Sequence, residues 1–132
     1  LRLFKGFGVA MAATAAAFAM VSPASASARQ AVTLSSSDGY YSGSVVIGSQ
    51  AVKANGFIED TGFYKGSSAL YINVTTSTGK YNISFATVNN GASYTFATRK
   101  KTFPGTFISA KATMCSWNSS GVWACGASKT VG

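Results

Sequence analysis

The chain has 132 residues, 11 Lys and Arg against three Asp and Glu, no histidine, and a formal net charge of +8. Without an imidazole there is no Ser-His-Asp triad, Cys-His pair or histidine metal site. Two cysteines and no histidine cannot gather the four ligands of a structural zinc, so neither a metal nor a cofactor is implied.

Residues 1–28 read as a secretory signal peptide. Arg2 and Lys5 give a positive start, and Gly6 to Val21 is an apolar run rich in Ala, Phe and Met. Ser22-Pro23 breaks any helix, and Ala26-Ser27-Ala28 sets small residues at the positions a signal peptidase inspects. The apolar run is short for a bilayer span of roughly 20 residues, so no transmembrane anchor is expected after cleavage. The Ala-rich run and its Ser-Pro-Ala-Ser-Ala-Ser-Ala tail are similar to leaders of bacterial, in particular actinobacterial, secreted proteins.

Residues 29–132 have the length of one domain. Turn signals recur roughly every 8–12 residues between β-branched and aromatic segments, the pattern of an all-β protein. Val32 and Leu34 alternate in a first strand, and Tyr41, Gly43, Val45 and Ile47 line a face of the second. Ala51 to Ala54 reads as a short strand, with Asn55-Gly56 as a two-residue hairpin turn and Phe57 to Asp60 returning from it. Asp60-Thr61-Gly62 turns again. Leu70, Ile72 and Val74 alternate with Tyr71, Asn73 and Thr75 in a half-buried strand. Ser77-Thr78-Gly79 reverses into Tyr81, Ile83, Phe85 and Thr87 on one face, and Asn89-Asn90-Gly91 turns into Tyr94 and Phe96. Phe103-Pro104-Gly105 is a further turn. Ile108, Ala110, Ala112 and Met114 alternate on the next strand, and Val122 to Val131 is the last. This is the layout of an antiparallel β-sandwich, immunoglobulin-like or jelly-roll-like, with roughly eight or nine short strands.

The C-terminal segment holds both cysteines and both tryptophans. Ser119-Ser120-Gly121 suits a three-residue hairpin loop with Gly in the left-handed position. That loop closes Asn118 against Val122, Trp117 against Trp123 and Cys115 against Cys125, so a Cys115–Cys125 disulfide is expected in an exported protein. Carried on, the same register places Lys111 opposite Lys129. The aliphatic Ile108/Ala110/Ala112/Met114 face would turn to the core, leaving both tryptophans, the disulfide and two lysines on the other. The competing arrangement packs Trp on the disulfide inside the core.

Catalysis is not expected. Glu59 and Asp60 are adjacent and point to opposite faces of a strand, Asp38 stands in another loop, and glycosidase chemistry needs two carboxylates held together. Binding is the remaining role. An outward pair of tryptophans with cations beside it suits a protein hot spot or a sugar-stacking platform. Trp117, Trp123, Lys111 and Lys129 are therefore candidates, joined by Tyr40 and Tyr41, of which one must face outward. Arg99, Lys100 and Lys101 form the only charge cluster, readable also as a solvated edge that discourages strand pairing. Residues 29–132 carry nine cations against Asp38, Glu59 and Asp60, a net of +6 that draws acidic partners.

In size, single disulfide and cationic character the chain resembles small proteins exported by soil actinobacteria, among them adaptors of secreted antibacterial toxin assemblies and protease inhibitors. The resemblance is one of format across the whole chain, with no family motif. It implies a secreted, extracellular, non-catalytic module binding another secreted or cell-surface protein, as an adaptor or as an inhibitor of a secreted enzyme. The alternatives are a carbohydrate or cell-wall polysaccharide binder acting through Trp117 and Trp123, and a small cationic toxin acting on the envelope. Nucleic acid is disfavoured, since basic and aromatic residues do not interleave along one strand.

Overall fold

A computed structural model describes residues 28–132. The signal-peptide reading lies almost wholly outside the described residues. The described chain is all β, with nine strands: β1 (Gln30–Ser35), β2 (Gly39–Ile47), β3 (Ala51–Asp60), β4 (Ser68–Thr76), β5 (Gly79–Val88), β6 (Ser93–Thr102), β7 (Phe107–Trp117), β8 (Trp123–Cys125) and β9 (Lys129–Val131). They form two antiparallel sheets, one of four strands in the order β1-β2-β3-β6, the other of five in the order β5-β4-β7-β8 with β9 also on β7.

The alternating apolar residues of both sheets meet in one core. Val32, Tyr41, Val45, Val52, Ile58 and Phe96 come from the first sheet, and Leu70, Ile72, Val74, Phe85, Ala112 and Met114 from the second. Each fully buried Val, Leu, Ile or Phe contributes about 1.5–3 kcal/mol relative to exposure, so this cluster is the main term holding the sheets together. Tyr41 crosses the core with its ring 6.1 Å from that of Phe96, and its hydroxyl donates to the Asn55 carbonyl at 2.6 Å.

Four expectations change, three of them at bulges, where an inserted residue resets the two-residue alternation. Asn55-Gly56 does not turn the chain: β3 runs through it to Asp60, pairing with β2 on one side and β6 on the other, with a register shift between Ala54 and Gly56. Gly56 has φ 144°, and its partner Gly43 leaves no space for a Cβ, which would lie 1.9 Å from the Asn55 carbonyl oxygen. The paired glycines let the two strands approach beneath the Tyr41 hydroxyl, and the Asn55 side chain bonds the hydroxyls of Ser44 and Thr98. A second shift on β5 skips Phe85, so that Ala86 and Val88 turn to the core while Thr87 is exposed. A third, at Ile108 on β7, leaves Ile108 62% exposed; Phe107 packs against the core in its place.

The fourth is the last strand, which is two. Gly126 donates its N–H to the Met114 carbonyl and lies against the Ser35 carbonyl with no room for a side chain. The segment between β8 and β9 thus carries one extra residue, and β9 pairs Ala112 with Lys129 and Lys111 with Thr130. Lys129 consequently leaves the Trp-bearing face.

Candidate functional site

The proposed hairpin register is present. Cys115 pairs with Cys125, Ser116 with Ala124 and Trp117 with Trp123, and a disulfide joins Cys115 to Cys125. The Asn118 N–H donates to the Val122 carbonyl at 3.0 Å, the Gly121 N–H to the Asn118 carbonyl at 2.9 Å, and Gly121 has φ 72°. The Asn118 side chain adds bonds from the Ser120 and Val122 amides. The disulfide lies on the outer face of the second sheet, away from Ala112 and Met114, and both indoles are half-buried. They meet edge to face at 5.6 Å and 66°, a preferred geometry for aromatic pairs.

Beside the hairpin lies the β3–β4 loop, residues 61–67, held from below by two buried carboxylates. Asp38 and Asp60 are 2% and 1% exposed, and every recorded partner of either is neutral. Asp60 accepts the Gly62 N–H at 2.8 Å and the Gly91 N–H at 3.1 Å on one oxygen, and the Ser68 hydroxyl at 2.6 Å on the other. Asp38 accepts the Thr61 hydroxyl and, at 2.8 Å, the Tyr64 N–H, while its own N–H donates to the Ser116 hydroxyl at 2.9 Å. With its amide nitrogen turned toward the loop, Asn90 donates to the Tyr64 carbonyl at 2.7 Å and the Gly66 carbonyl at 3.1 Å. Burying two carboxylates is costly unless such charge-assisted bonds replace water, and here they do so with loop backbone.

A fixed loop with its hydrophobic side chain outward is the result. Phe63 is 79% exposed, the most exposed of the large hydrophobic residues described, and touches Tyr64 edge-on at 4.9 Å. Gly66, at φ 92°, lies against the Trp117 indole, where a Cβ would come within 2.1 Å of Cδ1. This contact joins loop to hairpin, and Lys65, Gly66, Trp117, Asn118 and Gly121 line an open depression of about 340 Å³ between them. Val122, 54% exposed, stands at the hairpin tip. The end of the molecule thus offers aromatic and aliphatic surface with Lys65 at its border, while the acids of the region are inside.

The other sequence candidates scatter. Tyr41 is fully buried, and burial pushes its phenol up to about 12, so it faces no partner; Tyr40, 6.3 Å from the Phe57 ring, is the half-buried outward member of that pair on the first sheet. Lys111 lies on the outer face of the second sheet. The basic cluster is divided by its strand. Arg99 pairs with Ala54 on the core side, its guanidinium stacks 4.8 Å from the Phe96 ring centroid, and it donates to the Phe85 carbonyl on the other sheet at 2.7 Å. It is a clasp across the open edge between β6 and β5. Lys101 follows on the side of Val52, and only Lys100, opposite Lys53, lies on the outer face of the first sheet.

Alternation and composition do not single out Phe63 or Val122. The one local signal for the loop is Asp60-Thr61-Gly62, in which an Asp side chain accepts the N–H two residues on, an Asx turn. No protein-family model, curated protein or solved structure matches this chain.

Proposed function

We propose that the protein is an extracellular, non-catalytic, sandwich-like module that docks another protein through the end bearing the 61–67 loop and the β7–β8 hairpin. The observation that carries this reading is Phe63, largely exposed on a loop whose backbone is tied to two buried aspartates and Asn90. An exposed aromatic on a pre-ordered loop loses little conformational freedom on binding, which is what makes a hot spot efficient. The disulfide of the hairpin fits an oxidising location.

Within this reading an adaptor is favoured over a substrate-like inhibitor. Gly62, at φ 77°, curls the chain immediately before Phe63, so the side chain is offered on a bend and not on the extended backbone that adds to a protease cleft.

The test is capture of partners from the culture fluid of the source organism with the disulfide-intact protein, followed by affinity measurement on the recovered species. Phe63→Ala is expected to cost about 2 kcal/mol of binding, roughly 30-fold, while Lys100→Ala on the opposite sheet leaves it unchanged. Equal affinity of wild type, Phe63→Ala and Trp117→Ala would remove this end of the molecule as the docking surface.

A further inference from the structure

The outer face of the second sheet carries a polar trough distinct from the apolar end. Because Leu70, Ile72 and Val74 turn inward, Tyr71 and Asn73 of β4 turn outward. Asn73 stands opposite Asn82 of β5 on one side and opposite Lys111 of β7 on the other, and Lys80 lies one pleat further along β5. Two open depressions, about 310 and 370 Å³, meet at Asn73; Trp123 and the disulfide wall the first, Lys80 and Lys111 the second. The tryptophans therefore divide two surfaces, Trp117 lining the apolar depression and Trp123 the trough.

The hydrogen-bonding groups here are idle. Asn55, Asn90 and Asn118 hold structure through their side chains. Among the described residues, no hydrogen bond is recorded to the side chains of Tyr71, Asn73, Asn82, Lys80, Lys111 or Trp123. Electrostatics are one-sided as well: Asp38 and Asp60 are buried and Glu59 is on the first sheet, so no carboxylate balances Lys80 and Lys111. None of the exposed large hydrophobics, Phe63, Ile108 and Val122, lines the trough.

We infer that the trough binds an acidic polysaccharide. Each Asn amide presents two donors and an acceptor to sugar hydroxyls, the Tyr71 and Trp123 rings offer apolar faces with a polar tip, and Lys80 and Lys111 meet the anionic substituents. From the row of Trp123 to that of Lys80 the trough runs roughly 27 Å at strand spacing, long enough for an oligomer and not only one sugar.

Affinity of the intact protein for polygalacturonate (carboxylate-bearing) and phosphomannan (phosphate-bearing) tests it, with dextran and a single-stranded oligonucleotide as counter-probes. At least one acidic glycan is expected to bind, and the other arm identifies which anion the lysines prefer. Asn73→Ala/Asn82→Ala and Lys80→Ala/Lys111→Ala should each weaken binding about tenfold or more, from lost polar and charged contacts. The control pair Lys53→Ala/Lys100→Ala, which removes the same charge from the other sheet, should change it less than about twofold. Failure of both acidic glycans to bind overturns the inference. So does equal binding of dextran or the oligonucleotide, an equal loss in the control pair, or full binding by Asn73→Ala/Asn82→Ala.

Discussion

The 61–67 loop and the edge strand β6 use charge in opposite ways. Beneath the loop the carboxylates are inside: Asp38 and Asp60 accept hydrogen bonds from its backbone and hydroxyls, and an aromatic side chain is left in solvent beside the exposed Lys65. On β6 the aromatics are inside and a cation closes over them, Arg99 covering Phe96 and reaching the Phe85 carbonyl across the gap between the sheets. The conspicuous charge run of the sequence is thus partly a structural clasp, whereas the loop that follows the Asp60-Thr61-Gly62 turn leaves Phe63 in solvent.

The largest effect separating these regions is expected from Asp60→Ala. It strips acceptors from the Gly62 and Gly91 amides and the Ser68 hydroxyl, and unfolding free energy should fall by about 3 kcal/mol in denaturant titration. Reduction of Cys115–Cys125 comes next. In the chain-entropy model so short a loop contributes roughly 2–3 kcal/mol, and the indole fluorescence of the hairpin should change while the far-ultraviolet β signal of both sheets persists. Arg99→Ala should cost about 1–2 kcal/mol through the lost ring and carbonyl contacts, against less than about 0.5 for Lys100→Ala. Equal costs at these two positions would dissolve the contrast between clasp and solvated charge. Phe63→Ala should have the smallest effect on stability, within about 0.5 kcal/mol, because the residue is already exposed.

Tyr41, packed beside Phe96 in the core, gives a pH counterpart. Its folded pKa is raised from 10.0 to about 12 by desolvation, so the stability it confers is intact below pH 10 and is lost as pH rises through about 12. In spectrophotometric titration one phenol should ionise only near that upper limit in the folded protein, and Tyr41→Phe should remove this step.

The strands and the hairpin register were legible because alternation and turn chemistry act over a few residues. The Cys115–Cys125 and Trp117–Trp123 pairs come from the three-residue Ser119-Ser120-Gly121 loop alone. The places where a residue is inserted could not be read. Phe85 and Ile108 each shift the face of the strand residues beside them, and Asn55-Gly56, favourable for a hairpin, is instead a bulge that makes room for Tyr41. The end of the molecule that displays Phe63 was hidden for another reason. Asp38 and Asp60 are far apart in the chain, and apart from the Asp60-Thr61-Gly62 turn the donors they bind are backbone amides and hydroxyls with no sequence signature, so nothing marked Phe63 as a displayed side chain. The sequence left an outward and a core-packed arrangement of Trp117 and Trp123 both open; the fold leaves them half-buried, and their separation onto two surfaces required Gly66 and Asn73, which only the fold brings beside them.

Amide hydrogen exchange across residues 61–67 tests the pinned loop most directly, with no partner needed. The Gly62 and Tyr64 amides, bonded to Asp60 and Asp38, are expected to exchange slowly, like those of neighbouring strands. The Phe63 amide, for which no acceptor is recorded among the described residues, should exchange fast between them. Uniformly fast exchange of Gly62, Phe63 and Tyr64 would contradict a loop held by buried carboxylates, and with it the pre-ordered display of Phe63 on which the proposed docking role rests.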